Sequence, residues 1–276
     1  MARDRFDGTA VPNVHPVRRI MPFIMPTKNG AFVLFEHDIP TAPLIPFLAD
    51  ANRDRPADRP ITMFHCVLRA IGIALNEFPR LNRYVSGSRL YARKSVWLAF
   101  SAKQRLERDA PLFTAKVEVL PDEPLGAFVD RILSVLGDGR SGKESHADRE
   151  IKGFLKLPGP VLRAAVKMQR VLDGWNLLPS SLLADDPLYA SAFIANLGSV
   201  GLDAAFHHLY EYGTIPIFVV VGAYRRVAVV EEDGRIVAQR VATLKYTYDE
   251  RVEDGFYCAR AVSRMKELIE HPAELA

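Results

Sequence analysis

Residues 215–221 read I-P-I-F-V-V-V, a nearly continuous apolar run that constrains this chain more than any other stretch. A strand can be apolar at successive positions only when both faces of its sheet are covered, so an inner strand of a layered α/β domain is expected here. Two strand-like segments follow, 224–231 and 235–246, joined by E-D-G as a hairpin. The segment 247–255, T-Y-D-E-R-V-E-D-G, then closes the β-rich stretch and opens an amphipathic helix over 256–270. Four carboxylates crowd that junction: Asp249, Glu250, Glu253 and Asp254. Strand-to-helix junctions present side chains at the edge of a sheet, where sites are often built.

Upstream, the periodicity predicts a strand at 31–38, a helix at 42–52 capped by Thr41, and the clearest helix at 61–78, stopped by Pro79. Strands are expected at 95–101 and 113–120, separated by a charged turn containing residues 105–109, and a helix starts at Pro124. Residues 137–150 read as a loop, 151–183 as a broken basic amphipathic region, and 192–195 as a strand entering a glycine turn. Pro22 and Pro26 preclude a long regular helix through 18–27, and the polar residues 1–16 read as an arm on the surface or on a neighbour. No internal repeat or linker divides the remainder, so 17–276 is taken as one domain.

With 49% hydrophobic residues in 276, a sizeable core is available, and a net charge of +3 without a basic run gives no reason to expect nucleic acid. Cys66 and Cys258 have no metal-type spacing and read as reduced thiols of a cytosolic protein, with a single disulfide as the alternative. The first eight residues lack an apolar stretch, so no signal peptide is expected, and a membrane association is disfavoured.

Several short motifs in order resemble one family. V-R-R-I-M at 17–21, A-L-N-E-F-P-R-L-N at 74–82, F-I-A-N-L-G-S-V-G at 193–201 and D-E-R-V-E-D-G at 249–255 are similar to motifs of the dihydrolipoyl acyltransferase core of 2-oxoacid dehydrogenase complexes. The resemblance implies the fold shared with chloramphenicol acetyltransferase: a two-layer α/β sandwich of a mixed sheet and helices. It also implies a homotrimer with active sites between subunits, coenzyme A or acyl-CoA as ligand, no metal, and membership of a larger dehydrogenase-type complex as a further option. No lipoyl attachment is expected on this chain, and 151–183 looks like a helical insertion.

The departures from the family lie at its two chemical positions. Its signature D-H-R-V-x-D-G carries a histidine that takes the proton of a thiol, and Glu250 stands there. A thiol of pKa about 8.5 needs a base of comparable pKa, and an ordinary carboxylate at about 4.3 is roughly four units too acidic. Crowding by Asp249, Glu253 and Asp254 would raise that value through like-charge repulsion and desolvation. The family's oxyanion-donating serine is replaced by Ala195, and loss of one such donor costs on the order of 10²–10³ in rate. The leading reading is therefore a trimeric binding or scaffold protein whose usual acyl transfer is lost or altered. The alternative is an active acyltransferase using Glu250, His207 or His208 as base.

Other positions match the family and imply structural roles. Asp254 is expected to pair with Arg18, or with the adjacent Arg19, and Asn196, Gly198 and Gly201 to shape the turn. His207 and His208 read first as one packed and one solvated ring; Tyr210, Tyr212 and Tyr248 read first as packing. His65 reads as a core or interface residue within its helix. G-D-G-R-S-G-K at 137–143 meets the spacing of a phosphate loop, but follows a helix and lacks the hydroxyl, so it is set aside. A metal at the carboxylate cluster is set aside in favour of an ion-pair network with Arg251 and Arg18. The basic 151–183 region reads as a flap whose apolar face covers its own domain. The resemblance implies that cages form through an apolar C-terminal tip, and with only Leu275 there a free trimer is expected.

Overall fold

The computed structural model describes residues 4–104, 107, 110–141, 153 and 155–276. The phosphate-loop look-alike at 137–143, much of the loop at 137–150 and the start of the 151–183 region lie partly outside the described residues, as does most of the turn at 105–109.

The centre is a six-stranded sheet in the order β2-β9-β8-β7-β5-β6. Its strands are β2 (Phe32–Pro40), β5 (Val96–Lys103), β6 (Leu112–Val119), β7 (Ala192–Asn196), β8 (Ile217–Val230) and β9 (Ile236–Asp249). Pairing is parallel for β5–β7 and β7–β8 and antiparallel elsewhere, so the sheet is mixed. The apolar run forms the buried half of β8: Val219 and Val221 enter the main core, and Phe218 and Val220 enter a smaller cluster on the opposite face. Both faces are thus covered there, as the unbroken hydrophobicity requires.

Three helices build the main layer: α3 (Met63–Glu77), α4 (Leu125–Arg140) and α7 (Gly255–Glu270). Their inward residues, among them Val67, Phe128, Ile132 and Leu268, pack with the strands in one cluster. The helix stopped by Pro79 begins at a capping box, in which Thr62 receives the backbone of His65 and the His65 ring accepts from the Thr62 N–H. His65 is therefore a buried cap in the first turn of α3, and burial lowers its pKa to about 4. Cys66 and Cys258 are free and buried.

The first residues depart from the surface-arm expectation. Strand β1 (Gly8–Ala10) pairs with β4 (Arg89–Arg93), which in turn pairs with β3 (Arg83–Ser86) in a separate three-stranded sheet. Arg5 is buried and donates to Asp173, with Asp7 beside it, so ion pairing draws this polar segment inward. Pro16 opens the nine-residue helix α1 (Pro16–Ile24), where a missing N–H costs nothing. Helix α2 (Leu44–Ala51) starts beyond Thr41, whose hydroxyl donates to the Arg240 carbonyl oxygen instead of capping.

The 151–183 region contains α5 (Gly159–Gly174) and the short α6 (Ser180–Leu183). The flap expectation is not met: no residue of α5 is buried, while Val161, Met168 and Val171 are exposed, as is Trp175 beyond its end. Polar contacts dock this helix, through Arg5–Asp173 and a Gln169 amide that donates to the Tyr212 hydroxyl. They turn its apolar stripe away from the domain.

Candidate functional site

Alternation along β9 places Tyr246 and Tyr248 in the main core, and the strand ends at Asp249. The next residues divide into two kinds. Asp249 is buried and makes a two-pronged pair with Arg251, at 2.8 Å from Nε and 2.7 Å from Nη2. Glu253 is 3% exposed and gathers three arginines: Arg83 at 3.2 Å, Arg80 at 3.3 Å and Arg18 at 3.4 Å. Arg80 also stacks over the Tyr257 ring at 4.1 Å. The internal ion-pair network expected from the sequence is present, but its centre is Glu253.

Asp254 has a lighter duty. It caps α7 by accepting from the Tyr257 N–H at 2.9 Å, and that bond is the first cause holding its carboxyl below the usual range. Its pair with Arg18 exists at 3.8 Å across a half-exposed side chain. The expected Arg18–Asp254 bridge is thus the outer contact of an arginine whose closer partners are Glu253 and the Glu250 carbonyl oxygen, the latter at 3.1 Å.

Glu250 sits one residue beyond β9. Its N–H donates to the Ala31 carbonyl oxygen at 2.9 Å, and its half-buried carboxylate has no ion-pair partner among the described residues. The crowding by three like charges expected from the sequence is absent, because Asp249 and Glu253 are each matched by arginine and Asp254 faces solvent.

Ala195 lies in β7 opposite Val220, with its methyl against the smaller core cluster. Asn196 and Gly198 follow in the turn. The Asn196 side chain accepts from the Ser199 N–H, and a Cβ on Gly198 would meet the Gly222 carbonyl oxygen at 2.6 Å. Gly201 closes the turn at φ 77°, a conformation that favours glycine.

Register measures how far the two chemical positions lie apart. Ala195 pairs with Val220 and Val220 with Lys245, whereas Glu250 is five residues further along. At ~3.3 Å per residue and ~4.8 Å per strand, the separation within one chain is roughly 15–20 Å. One subunit does not bring Glu250 and Ala195 together.

His207 lies flat on Phe218 at 3.9 Å, on the same face as Ala195, and its carbonyl oxygen accepts from the Thr247 hydroxyl. Its Nδ1 is 2.7 Å from the His208 carbonyl oxygen, the geometry of an N–H donor, which leaves Nε2 as the acceptor. His208 is exposed and stacks on His207 at 4.6 Å. One ring packed and one solvated is the arrangement expected from the sequence.

Sequence reasoning missed Lys28. Its buried ammonium donates to the carbonyl oxygens of Tyr210 and Gly213 at 2.8 Å each. Burial lowers its pKa to about 7, against the opposing pull of Asp249 and Glu211. With Asn29 and Glu211 it ties the turn before β2 to the histidine-bearing segment. Nothing in the pattern around residue 28 marks such a contact, since its partners are backbone carbonyls about 180 residues away.

This fold, with its strand-to-helix junction, defines a chloramphenicol acetyltransferase-like α/β protein. Chloramphenicol acetyltransferase itself superposes at a TM-score of 0.52 with 13% identity, over 95% of this chain and 99% of that one. Residues 180–276 match the family model of the 2-oxoacid dehydrogenases acyltransferase catalytic domain. Over that C-terminal stretch the chain is similar to the 2-oxoacid dehydrogenase acyltransferases, and it shares their fold. The lipoamide acyltransferase component of the branched-chain alpha-keto acid dehydrogenase complex of Bacillus subtilis (strain 168) is 22% identical over 210 residues, covering 76% of this chain. The chain spans 39% of the length of that relative. A probable dihydrolipoamide acetyltransferase from Listeria monocytogenes 4b F2365 shares the fold at a TM-score of 0.63 and 15% identity, covering 95% of this chain and 94% of that one. The cubic core of the pyruvate dehydrogenase multienzyme complex does so at 0.64 and 18%, covering 88% and 83%.

Proposed function

We propose that this chain binds coenzyme A or an acyl thioester at a seam between the subunits of a homotrimer, and that the family's histidine-and-serine transfer has been lost. The observation that carries this reading is the pairing of departures, Glu250 at the base position and Ala195 at the donor position, each beside a firmly held junction or turn. Glu253 and its arginines fix the junction, and Asn196, Gly198 and Gly201 fix the turn. A methyl group cannot donate to an oxyanion, whatever base serves. The separation of the two positions within one chain fits a site shared by two subunits. Participation in a larger dehydrogenase-type assembly belongs to the same proposal, resting on the complexes named for its relatives.

Acetyl transfer from acetyl-CoA to dihydrolipoamide tests this, alongside calorimetric binding of coenzyme A. The expected result is binding without turnover above background. Turnover that disappears in Glu250→Gln would overturn the loss of chemistry. A second reading, a relocated base, is favoured by the free Nε2 acceptor of His207 on the Ala195 face. Turnover abolished by His207→Gln but not by Glu250→Gln would select it.

A further inference from the structure

A cleft of about 460 Å³ runs between the outer edge of β2 and helix α7. Val33 and Phe35 form its strand wall, Cys258, Ala259 and Val262 its helix wall, and Tyr248 its end nearest the junction. The two ends follow from register. Val33 pairs with Tyr248, and a Cβ on Gly255 would meet the Tyr248 hydroxyl at 3.8 Å, so this end adjoins the start of α7. His37 and Lys266 mark the far end, four residues along β2, or about 13 Å away.

The cleft is mostly apolar, with Tyr248 at its junction end and Glu36, His37, Ser263 and Lys266 in its far half. At the junction end, the Tyr248 hydroxyl makes no hydrogen bond among the described residues. Burial first, then Cys258, Glu250 and Asp254, push its pKa up to about 12, so it stays a protonated donor. Beside this end lie the carboxylate of Glu250, without an ion-pair partner among the described residues, and the exposed one of Asp254. A carboxylate ligand is repelled there, whereas an uncharged carbonyl accepting from Tyr248 fits. At the far end, burial and then Lys266 lower the His37 pKa to about 4, so its ring is neutral and lies stacked on Tyr246. Lys266 itself is matched by Glu270 at 3.7 Å, and the Glu36 carboxylate lines the same end, which disfavours an anionic head there.

We infer that this cleft takes the acyl chain of an uncharged thioester, with the carbonyl at the Tyr248 hydroxyl and the methylenes along Val33, Phe35 and Val262. The inference rests on the reading of the junction as a thioester site and names its substrate class: a linear acyl group longer than acetyl. Tyr248 lines the cleft opposite Val33, and two residues further on the Glu250 N–H donates to the Ala31 carbonyl oxygen, which sets the cleft beside that site.

The test is calorimetric binding of decanoyl-pantetheine and acetyl-pantetheine to the full chain, which requires no turnover. Decanoyl-pantetheine should bind at least about tenfold more tightly, because added methylenes are buried. Val262→Trp, which fills the cleft, should erase that gain and leave acetyl-pantetheine unchanged. Ala259→Leu provides a milder filling variant, with thermal melts reporting that each protein is folded. Tyr248→Phe should weaken both ligands by a few-fold. Equal affinity of the two ligands, or a gain that survives both filling variants, would overturn the cleft alone. Binding of neither ligand would overturn the thioester reading along with it.

Discussion

The junction at 249–254 and helix α5 handle their side chains in opposite ways. At the junction, Asp249 and Glu253 are nearly inaccessible, yet each is matched by arginine at hydrogen-bonding distance or close to it. Along α5, only Gln169 and Asp173 make side-chain hydrogen bonds to the rest of the described residues, and Val161, Met168 and Val171 face solvent. A buried charge is tolerated only when its partners are fixed, so the junction is rigid by necessity. The exposed apolar stripe of α5 makes no such demand on its neighbours. At the junction the Glu250 carboxylate has no ion-pair partner among the described residues, and the proposed reading takes it as the residue at the base position.

The contrast can be broken first at Asp249. Asp249→Asn leaves the Arg251 charge buried without its counter-ion, and a loss of about 3–5 kcal/mol is expected in urea unfolding. Glu253→Gln comes next. Its three arginines are partly solvated, Arg80 about half exposed, so the expected loss is smaller, about 2 kcal/mol by the same measurement.

Lys28 adds a pH dependence. Its folded pKa is about 7, below the ordinary 10.5, so between these values the unfolded chain binds more protons than the folded one. Stability then rises with pH across that window, by at most about 1.4 kcal/mol per unit, and Lys28→Met should flatten the slope. The smallest effect is expected on α5. Met168→Gln and Val171→Ser should each change stability by less than about 0.5 kcal/mol, and a larger loss would show that this face is covered in solution.

Much of the architecture was legible because it obeys simple periodicity. The apolar run of β8, the hairpin to β9 and the stripes of α3 and α7 are local patterns, and the structure repeats them within a few residues. The hairpin β3–β4 escaped notice because its apolar residues are few and its core contact is an aromatic pair, Tyr84 on Tyr91. At the site, the motif match singled out Glu250, Ala195, Asn196 and Asp254, and the expected Arg18–Asp254 bridge is present at 3.8 Å, but the closer contact of Arg18 with Glu253 at 3.4 Å was not foreseen. The difference between Glu253 and Asp254 is one position around the start of α7, and only the packed structure turns one inward and the other out. Lys28 and the arginine cluster depend on contacts between distant segments, which no local pattern records.

The central claim is that the supporting structure of a thiol-activating site persists while its proton acceptor and oxyanion donor do not. Acetyl transfer to dihydrolipoamide by the double variant Ala195→Ser with Glu250→His tests it most directly. The account predicts turnover at least ~10²-fold above that of the unaltered chain. An unaltered chain that already transfers acetyl, with a double variant that does no better, would contradict it.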